Sequence, residues 1–178
     1  MWEVSTGMLA KTWNAHFKAV SAISFAASGS VLITAGEDTV VSAWSLGSLL
    51  DPAAGHAPPV PKYTWAEHAL PVTSLAIGGG PGGGAAGAGL VASASADRTC
   101  KLWTLGGGHL LRSIELPAAL VSVALDACES TLYAGAVDGR VFEVPLNAVA
   151  NSGAGLDQRN KGKQSDTSSS AATLEGHK

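Results

Sequence analysis

The chain has 178 residues, of which 46% are hydrophobic and 14% charged, and its formal net charge is −3 at pH 7. This length allows one sizeable core, and the composition excludes a disordered or highly charged protein. The negative charge argues against electrostatic capture of nucleic acid as the main function. No apolar run approaches the ~18 residues of a transmembrane helix, and the first residues lack the basic and apolar regions of a signal peptide.

The first part of the chain is typical of short strands joined by tight turns. Residues 1–7 read as the end of a strand and its following turn, and residues 8–46 as a first complete unit. Within that unit, alternating apolar residues and Gly, Ser and Asp turns predict four strands. These are Leu9–Trp13 on the outside, then Val20–Phe25, Val31–Ala35 and Val40–Leu46.

A proline-rich stretch, residues 47–61, separates the first unit from a second one at residues 62–105. Proline cannot donate to a sheet ladder, so this stretch is predicted to be a surface loop. The second unit begins with Lys62–Trp65 as its outer strand and contains a glycine-rich hairpin loop at residues 78–89. That loop lacks the Lys-Ser/Thr of a phosphate-binding loop and joins two strands, so it predicts no nucleotide site.

Four residue types recur in both units at the same spacing. In each unit an aspartate follows a Ser or Thr by four positions and precedes a tryptophan by six, with a histidine upstream. The aspartate can fix one imidazole nitrogen, the other nitrogen can bond to the hydroxyl, and the hydroxyl can accept the indole N–H. We therefore predict two structural tetrads: His16, Thr34, Asp38 and Trp44 in the first unit, and His68, Ser93, Asp97 and Trp103 in the second.

The third unit, residues 106–146, is degenerate and has Leu110–Glu115 as its predicted outer strand. Only Asp138 of the four tetrad positions is retained, since Ala134 and Val144 stand where the hydroxyl and the tryptophan would be. Residues 147–171 are polar and serine-rich, which predicts a disordered insertion. Residues 172–178, with His177, are typical of the start of a further repeat, so we expect the chain to be cut inside repeats at both ends.

No catalytic constellation is visible in the sequence. The His–Ser/Thr–Asp sets could suggest a hydrolase triad, but they occur twice and each includes a tryptophan that catalysis would not need. There is no Gly-x-Ser-x-Gly motif and no Cys/His cluster with zinc spacing. We therefore expect no enzyme, no cofactor and no metal. Cys100 and Cys128, in strand-like or strand-adjacent stretches, are expected to be buried thiols in a reducing compartment.

The His–Ser/Thr–Asp–Trp pattern resembles the WD40 repeat, a four-stranded blade of a β-propeller. The resemblance implies an all-β fold: a partial WD40 propeller of about three four-stranded antiparallel blades, open at both ends. It also implies a rigid protein-binding scaffold rather than an enzyme, with no membrane association and no direct nucleic-acid site.

The order of features is most similar to the WD-repeat subunit of the rixosome, which matures the large ribosomal subunit. The stretches that carry this resemblance are Trp2–Gly7, Gly36–Leu46, Trp65–Val72, the Gly-Gly-Pro at 79–81, Ala134–Phe142 and Leu174–His177. It implies other rixosome subunits and the midasin AAA ATPase as partners, with indirect contact to the pre-ribosome. It further implies action in internal-spacer removal from precursor rRNA, in the nucleolus and nucleoplasm of the nucleus.

Three other functions are compatible with the sequence. A WD40 substrate receptor of a ubiquitin ligase would bring ligase components as partners. A chromatin- or replication-associated WD40 scaffold is the second. The third is a non-functional truncated product, because an array with open ends leaves apolar faces exposed.

Overall fold

The computed structural model of the chain describes residues 1–26, 29–51, 58–79 and 89–147. Residues Met1–Ala148 form one compact unit by their internal contacts. The described residues contain eleven strands and one short helix, α1 (Leu46–Leu49). The strands are β1 (Val20–Phe25), β2 (Val31–Gly36), β3 (Val41–Ser45), β4 (Tyr63–Trp65), β5 (Val72–Ile77), β6 (Leu90–Ser95), β7 (Thr99–Thr104), β8 (Leu110–Glu115), β9 (Leu120–Leu125), β10 (Thr131–Ala136) and β11 (Val141–Pro145).

These strands form three antiparallel sheets, which confirms the predicted fold class. The first sheet has the order β1-β2-β3-β4, the second β5-β6-β7-β8 and the third β9-β10-β11. Strand β1 lies against β5, and β5 lies against β9. The first strands of successive sheets are therefore neighbours, as in the blades of a propeller.

The sheets do not coincide with the units read from the sequence. Strand β4, at the head of the second unit (62–105), pairs with β3 in the first sheet, with Val41 opposite Trp65. Strand β8, in the third unit (106–146), pairs with β7 in the second sheet. The second and third units thus each give their outer strand to the preceding sheet, and the third sheet has three strands among the described residues.

The predicted outer strand Leu9–Trp13 was wrong. The first residues form a short hairpin with a single antiparallel bridge between Trp2 and Leu9. The Glu3 N–H donates to the Met8 carbonyl at 2.9 Å, and the Ala10 N–H donates to the Met1 carbonyl at 3.0 Å. An isolated two-stranded hairpin is only marginally stable, which explains why regular strand geometry does not extend to Trp13.

The core comprises two layers between the three sheets and a third, smaller cluster of Leu32, Trp44 and Leu49. Small side chains on the facing strands let the sheets approach one another closely. The interior between the sheets is therefore close-packed. The layer between the first and second sheets contains Ile33, Ala35, Val41, Ala43, Trp65, Val72, Val91 and Trp103. The layer between the second and third sheets contains Ala92, Ala94, Cys100, Leu102, Ile114, Leu120, Leu132 and Ala134.

Several predicted loops differ from the structure or lie outside it. Helix α1 falls at the start of the predicted proline-rich loop, and it buries Leu49, which is 2% exposed. Cys100 is buried as expected, but Cys128 is exposed in the turn after β9, which corrects the prediction of a second buried thiol. Residues 80–88 of the glycine-rich loop, the insertion beyond residue 147 and the repeat start at 172–178 lie outside the described residues.

Candidate functional site: two hydrogen-bonded tetrads

In the first sheet the structure brings His16, Thr34, Asp38 and Trp44 together. His16 Nδ1 lies 2.9 Å from Asp38 Oδ1, and His16 Nε2 lies 2.8 Å from Thr34 Oγ1. Trp44 Nε1 donates to the same Thr34 oxygen at 3.0 Å. Thr34 and Trp44 are diagonal neighbours, since Leu32 pairs with Trp44 and Thr34 with Ser42. A large aromatic side chain readily spans that diagonal.

The second sheet repeats this geometry with serine in place of threonine. His68 Nδ1 lies 2.9 Å from Asp97 Oδ2, and His68 Nε2 lies 2.8 Å from Ser93 Oγ. Trp103 Nε1 donates to Ser93 Oγ at 3.0 Å. Ser93 is fully buried and His68 is 4% exposed, so the network is shielded from solvent.

The chemistry of the two end groups fixes the direction of the hydrogen bonds in these chains. An indole nitrogen can only donate, so the hydroxyl oxygen accepts from it. An ionised carboxylate can only accept, so a neutral imidazole carries its proton on Nδ1 and donates it to the aspartate. The unprotonated Nε2 then accepts the hydrogen of the hydroxyl group.

Each aspartate also ties the loop before the first strand of its sheet to the hairpin turn. Asp38 accepts the Phe17 N–H at 2.9 Å and the Val40 N–H at 3.3 Å. Asp97 accepts the Ala69 N–H at 2.9 Å and the Thr99 N–H at 2.9 Å. Each carboxylate thus joins a backbone N–H of the loop to a backbone N–H of the turn.

Thr99 is a fifth member of the second network that the spacing rule did not predict. Its hydroxyl donates to Asp97 Oδ1 at 2.6 Å and lies 3.1 Å from His68 Nδ1. The corresponding position in the first sheet is Val40, which has no hydroxyl. A hydroxyl residue two positions after the turn aspartate is the sequence signal that would have identified it.

The ionisation of the second network follows from burial and these contacts. Burial alone would raise the pKa of Asp97, but hydrogen bonds from Thr99, Ala69 and His68 outweigh it and lower this pKa to about 2. Burial lowers the pKa of His68 from its usual value, although Asp97 opposes this change. The second tetrad therefore contains a carboxylate and a neutral imidazole at neutral pH.

The third sheet has no such network among the described residues. Asp138 lies at the surface, where it accepts hydrogen bonds from the Arg140 N–H and from Arg140 Nε at 3.1 and 2.8 Å. Ala134 and Val144 occupy the hydroxyl and tryptophan positions. His177, the histidine predicted for a further repeat, lies outside the described residues.

An aromatic contact that the sequence did not reveal joins the first and second sheets. Trp65 of β4 stacks on Trp103 of β7, with ring centroids 5.0 Å apart and an interplanar angle of 14°. Trp65 Nε1 donates to the Gly108 carbonyl at 2.7 Å, and the Tyr63 hydroxyl donates to the Gly106 carbonyl at 3.0 Å. These contacts of Tyr63 and Trp65, called the aromatic lock below, hold the edge of the first sheet against the turn between β7 and β8.

Gly108 is required by this lock for two reasons. Its φ of +70° is a left-handed conformation, and a Cβ there would lie 2.2 Å from the Tyr63 ring. The Gly108-His109 dipeptide therefore serves close packing, while His109 itself is exposed.

The hydroxyl groups of the two tetrads are occupied by hydrogen bonds within the tetrads. Ser93 and Thr34, the only candidate nucleophiles in them, are buried and engaged in two hydrogen bonds each. Within residues 1–26, 29–51, 58–79 and 89–147, no group of three or more His, Cys, Asp or Glu side chains could hold a metal ion. In the same residues, no helix is both long and apolar enough to cross a membrane.

Comparison with known proteins identifies the same repeats. The family described as "WD domain, G-beta repeat" matches residues 7–45 and 59–104. Each matched segment contains one complete tetrad. A solved structure, that of the computationally designed Ika4 protein, shares the fold with a TM-score of 0.62 at 22% identity, covering 81% of this chain and 76% of that one.

Several curated proteins are similar over most of the chain. WD repeat-containing protein 18 of Rattus norvegicus is 40% identical over 82% of this chain, which spans 32% of that protein. Protein ROOT INITIATION DEFECTIVE 3 of Arabidopsis thaliana is 34% identical over 86% of this chain, which spans 34% of it. Pre-rRNA-processing protein IPI3 of Yarrowia lipolytica is 32% identical over 85% of this chain, which likewise spans 34% of it.

The chain thus spans about a third of the length of these relatives, of which one is named as a WD-repeat protein and one as a pre-rRNA-processing protein. Two repeats with the same hydrogen-bonded network, three antiparallel sheets and the family match all agree. The chain belongs to the WD40-repeat proteins.

Proposed function

We propose that the chain is a non-enzymatic protein-interaction scaffold, part of a WD-repeat subunit of the rixosome that acts in large ribosomal subunit biogenesis. The observation that carries this proposal is the similarity, over 85% of the chain, to a relative named as a pre-rRNA-processing protein. The specific step would be internal-spacer removal from precursor rRNA. The partners would be other rixosome subunits and midasin, in the nucleolus and nucleoplasm.

The tetrads support a scaffold because they turn polar side chains inward. Their hydrogen bonds tie the loop before the first strand, the hairpin turn and two strands into one rigid unit. A rigid sheet with fixed loops can present a surface without a large ordering cost on binding. We propose that the two tetrads serve this structural role.

The binding surface is proposed at the end of the sheets where the tetrad aspartates lie. In each sheet the loop before the first strand is hydrogen-bonded to the hairpin turn at this end, where the N–H groups of Glu37, Ala96 and Val137 donate to the carbonyls of Ala19, Pro71 and Ala119. This end carries three exposed apolar side chains, one from each sheet: Phe17 at 99%, Leu70 at 49% and Val137 at 64% exposure. Exposed apolar residues on rigid loops are suited to protein contacts.

The test is affinity capture of the tagged chain, at native expression level, from the cells that make it. Partners are identified by mass spectrometry, and precursor rRNA is probed in the same eluate. Recovery of rixosome subunits, midasin and spacer-containing rRNA is expected. Recovery of ligase adaptors without pre-ribosomal material would refute the proposal and favour the ubiquitin-ligase receptor.

A matched pair of double variants tests the surface. Phe17→Ala with Leu70→Ala removes two exposed side chains from the proposed end and should reduce partner recovery at least several-fold. Val60→Ala with Leu111→Ala changes side chains that are 81% and 52% exposed away from that end, and it should retain binding. Equal recovery from both variants would exclude this surface.

A further inference from the structure

Lys101 of β7 is a buried cation in the second sheet. The residue is 8% exposed, and its Nζ donates a hydrogen bond to Ser113 Oγ of β8 at 3.0 Å. Among the described residues Lys101 forms no ion pair with a carboxylate. Burial of a charge without a counter-charge is unfavourable, so an anion beside Lys101 Nζ would stabilise this sheet.

The equivalent positions of the other two sheets carry no charge. Lys101 lies directly opposite Ser113 in the pairing of β7 with β8. At the same position of the first sheet, Ser42 lies opposite Thr64. In the third sheet this position is Phe142. A sheet of this chain therefore forms without a cation at this position, and the charge of Lys101 needs a separate explanation.

The hydroxyl partner of Lys101 is accessible from solvent. Strand β8 is the last strand of its sheet, and five of its six residues are exposed, Ser113 among them. Successive side chains of a strand point to opposite faces. Because Ile114 packs in the layer between the second and third sheets, Ser113 points to the side of the first sheet. The first sheet lies on that side, and Ser113 remains exposed beside it.

We propose that Ser113 is a phosphorylation site whose phosphate is bound by Lys101. In this modification Ser113 Oγ attacks the γ-phosphorus of a nucleoside triphosphate bound to a protein kinase. The new Oγ–P bond forms as the bond from the γ-phosphorus to the nucleoside diphosphate breaks. The diphosphate leaves with the electron pair, and a base of the kinase accepts the hydroxyl proton.

The geometry suits a phosphate without a change in the backbone. The phosphate oxygens are bonded to the phosphorus that Oγ carries, and Oγ already lies 3.0 Å from Lys101 Nζ. A phosphate adds a charge of about −1.5 to −2 at neutral pH, so the hydrogen bond of the ammonium becomes charge-assisted. Glu115, two residues further along the same face, is paired with Arg98 at 3.7 Å. Phosphorylation would therefore join β7 to β8 by an ion pair.

Site-specific incorporation of phosphoserine tests the role of Lys101 in the full chain. Replacement of Ser113 by phosphoserine should raise the urea midpoint of unfolding by about 0.5 M, because the folded state gains an ion pair. Lys101→Met keeps a long unbranched side chain but removes its charge. In that background the same phosphoserine should give no increase in the midpoint.

The first sheet supplies a matched control for this experiment. Thr64 is exposed and stands on β4 at the position of Ser113 on β8, but it lies opposite the neutral Ser42. Phosphoserine at position 64 should therefore leave the midpoint unchanged or lower it. An unchanged midpoint with phosphoserine at position 113, an equal increase at position 64, or an increase that persists in Lys101→Met would overturn the proposal.

Peptide mapping of the tagged chain tests whether cells use the site. The chain is isolated with phosphatase inhibitors from the cells that make it. Digestion with chymotrypsin avoids the tryptic cut between Arg112 and Ser113, and fragmentation in the mass spectrometer assigns the phosphate to one residue. Phosphate on Ser113 is expected. Recovery of the Ser113 peptide entirely without phosphate would contradict the proposal.

Discussion

Trp13 and Trp65 occupy the same position in successive repeats, three residues before His16 and His68, but only Trp65 has a partner for its indole N–H. Trp65 donates to the Gly108 carbonyl at 2.7 Å. Trp13 packs edge-on against Trp44, with centroids 5.6 Å apart, and its buried Nε1 has no hydrogen-bond partner among the described residues. The difference arises because Trp65 belongs to a paired strand, whereas Trp13 follows an isolated hairpin.

Replacing each of these tryptophans by phenylalanine should therefore have unequal effects. Both changes remove a similar volume, but Trp65→Phe also leaves the Gly108 carbonyl without its donor. It should lower the free energy of unfolding by about 1 kcal/mol more than Trp13→Phe, the typical net value of one hydrogen bond. Urea unfolding followed by circular dichroism measures the difference. Equal decreases in the free energy of unfolding would show that the hydrogen bond to Gly108 does not contribute to stability.

Asp97→Ala should destabilise the chain by about 1–3 kcal/mol, because it leaves the buried imidazole N–H of His68 without an acceptor and removes the hydrogen bonds from Ala69 and Thr99. Asp138→Ala is the matched control. Asp138 is at the corresponding position of the third sheet, but in the described part of the chain its side chain is hydrogen-bonded only to Arg140, so its replacement should leave the urea midpoint nearly unchanged. An unchanged midpoint for Asp97→Ala would contradict the structural role of the second tetrad.

Stability should fall as the solution is acidified from neutral pH. Folding lowers the pKa of His68 below the usual 6.5. The unfolded state therefore binds more protons than the folded state as the pH falls below about 6.5, and the free energy of unfolding decreases. Asp97, with a folded pKa of about 2 against 3.8, adds a further loss between about pH 4 and pH 2. A protonated His68 would also direct a second N–H at Ser93 Oγ, which already accepts from Trp103.

Urea midpoints between pH 7.5 and pH 5 test this dependence. His68→Gln removes the titrating group, and the midpoint should then change less with pH than in the unsubstituted chain. His109→Gln, at an exposed position outside both tetrads, is the matched control and should keep the original slope. The same slope in all three proteins would argue that another group controls the acid response.

The two cysteines should react at very different rates with a thiol reagent. Burial, followed by the charge of Asp97, raises the pKa of Cys100 to about 12, so the reactive thiolate is scarce at neutral pH. Cys128 is exposed. Iodoacetamide labelling with peptide mass spectrometry should modify Cys128 first and Cys100 only in denaturant. Rapid labelling of Cys100 in buffer would mean that the second and third sheets separate readily.

The sequence was sufficient for the fold class, because alternating strands, tight turns and a spaced repeat all point to the same architecture. The offsets of four and six residues correspond to the geometry of the hairpin: residues four apart span the turn and strand, and the tryptophan lies diagonally across from the hydroxyl. These local relations depend on the period-two alternation of the strands and on the length of the turn that joins them.

The features that sequence reasoning missed depend on contacts between sheets or on single side chains. The aromatic lock of Tyr63 and Trp65 requires knowledge of which turn lies beside β4. Helix α1 is only four residues long, and its N-cap residue Ser45 makes no side-chain capping hydrogen bond, so the local sequence predicts it weakly. Leu9–Trp13 has strand-like residues, but none of the three described sheets includes this segment. Tertiary context therefore overrides its local strand propensity.

The offset between sequence unit and sheet has a consequence for how the array comes apart. Because residues 59–104 match one repeat but contribute β4 to the first sheet, removing that repeat strips a strand from its neighbour as well. Unfolding of one repeat therefore exposes the unpaired edge strand of the neighbouring sheet. Strands of other chains can then pair with that edge. Cooperative unfolding and a tendency to aggregate at severed repeat boundaries thus have the same structural origin.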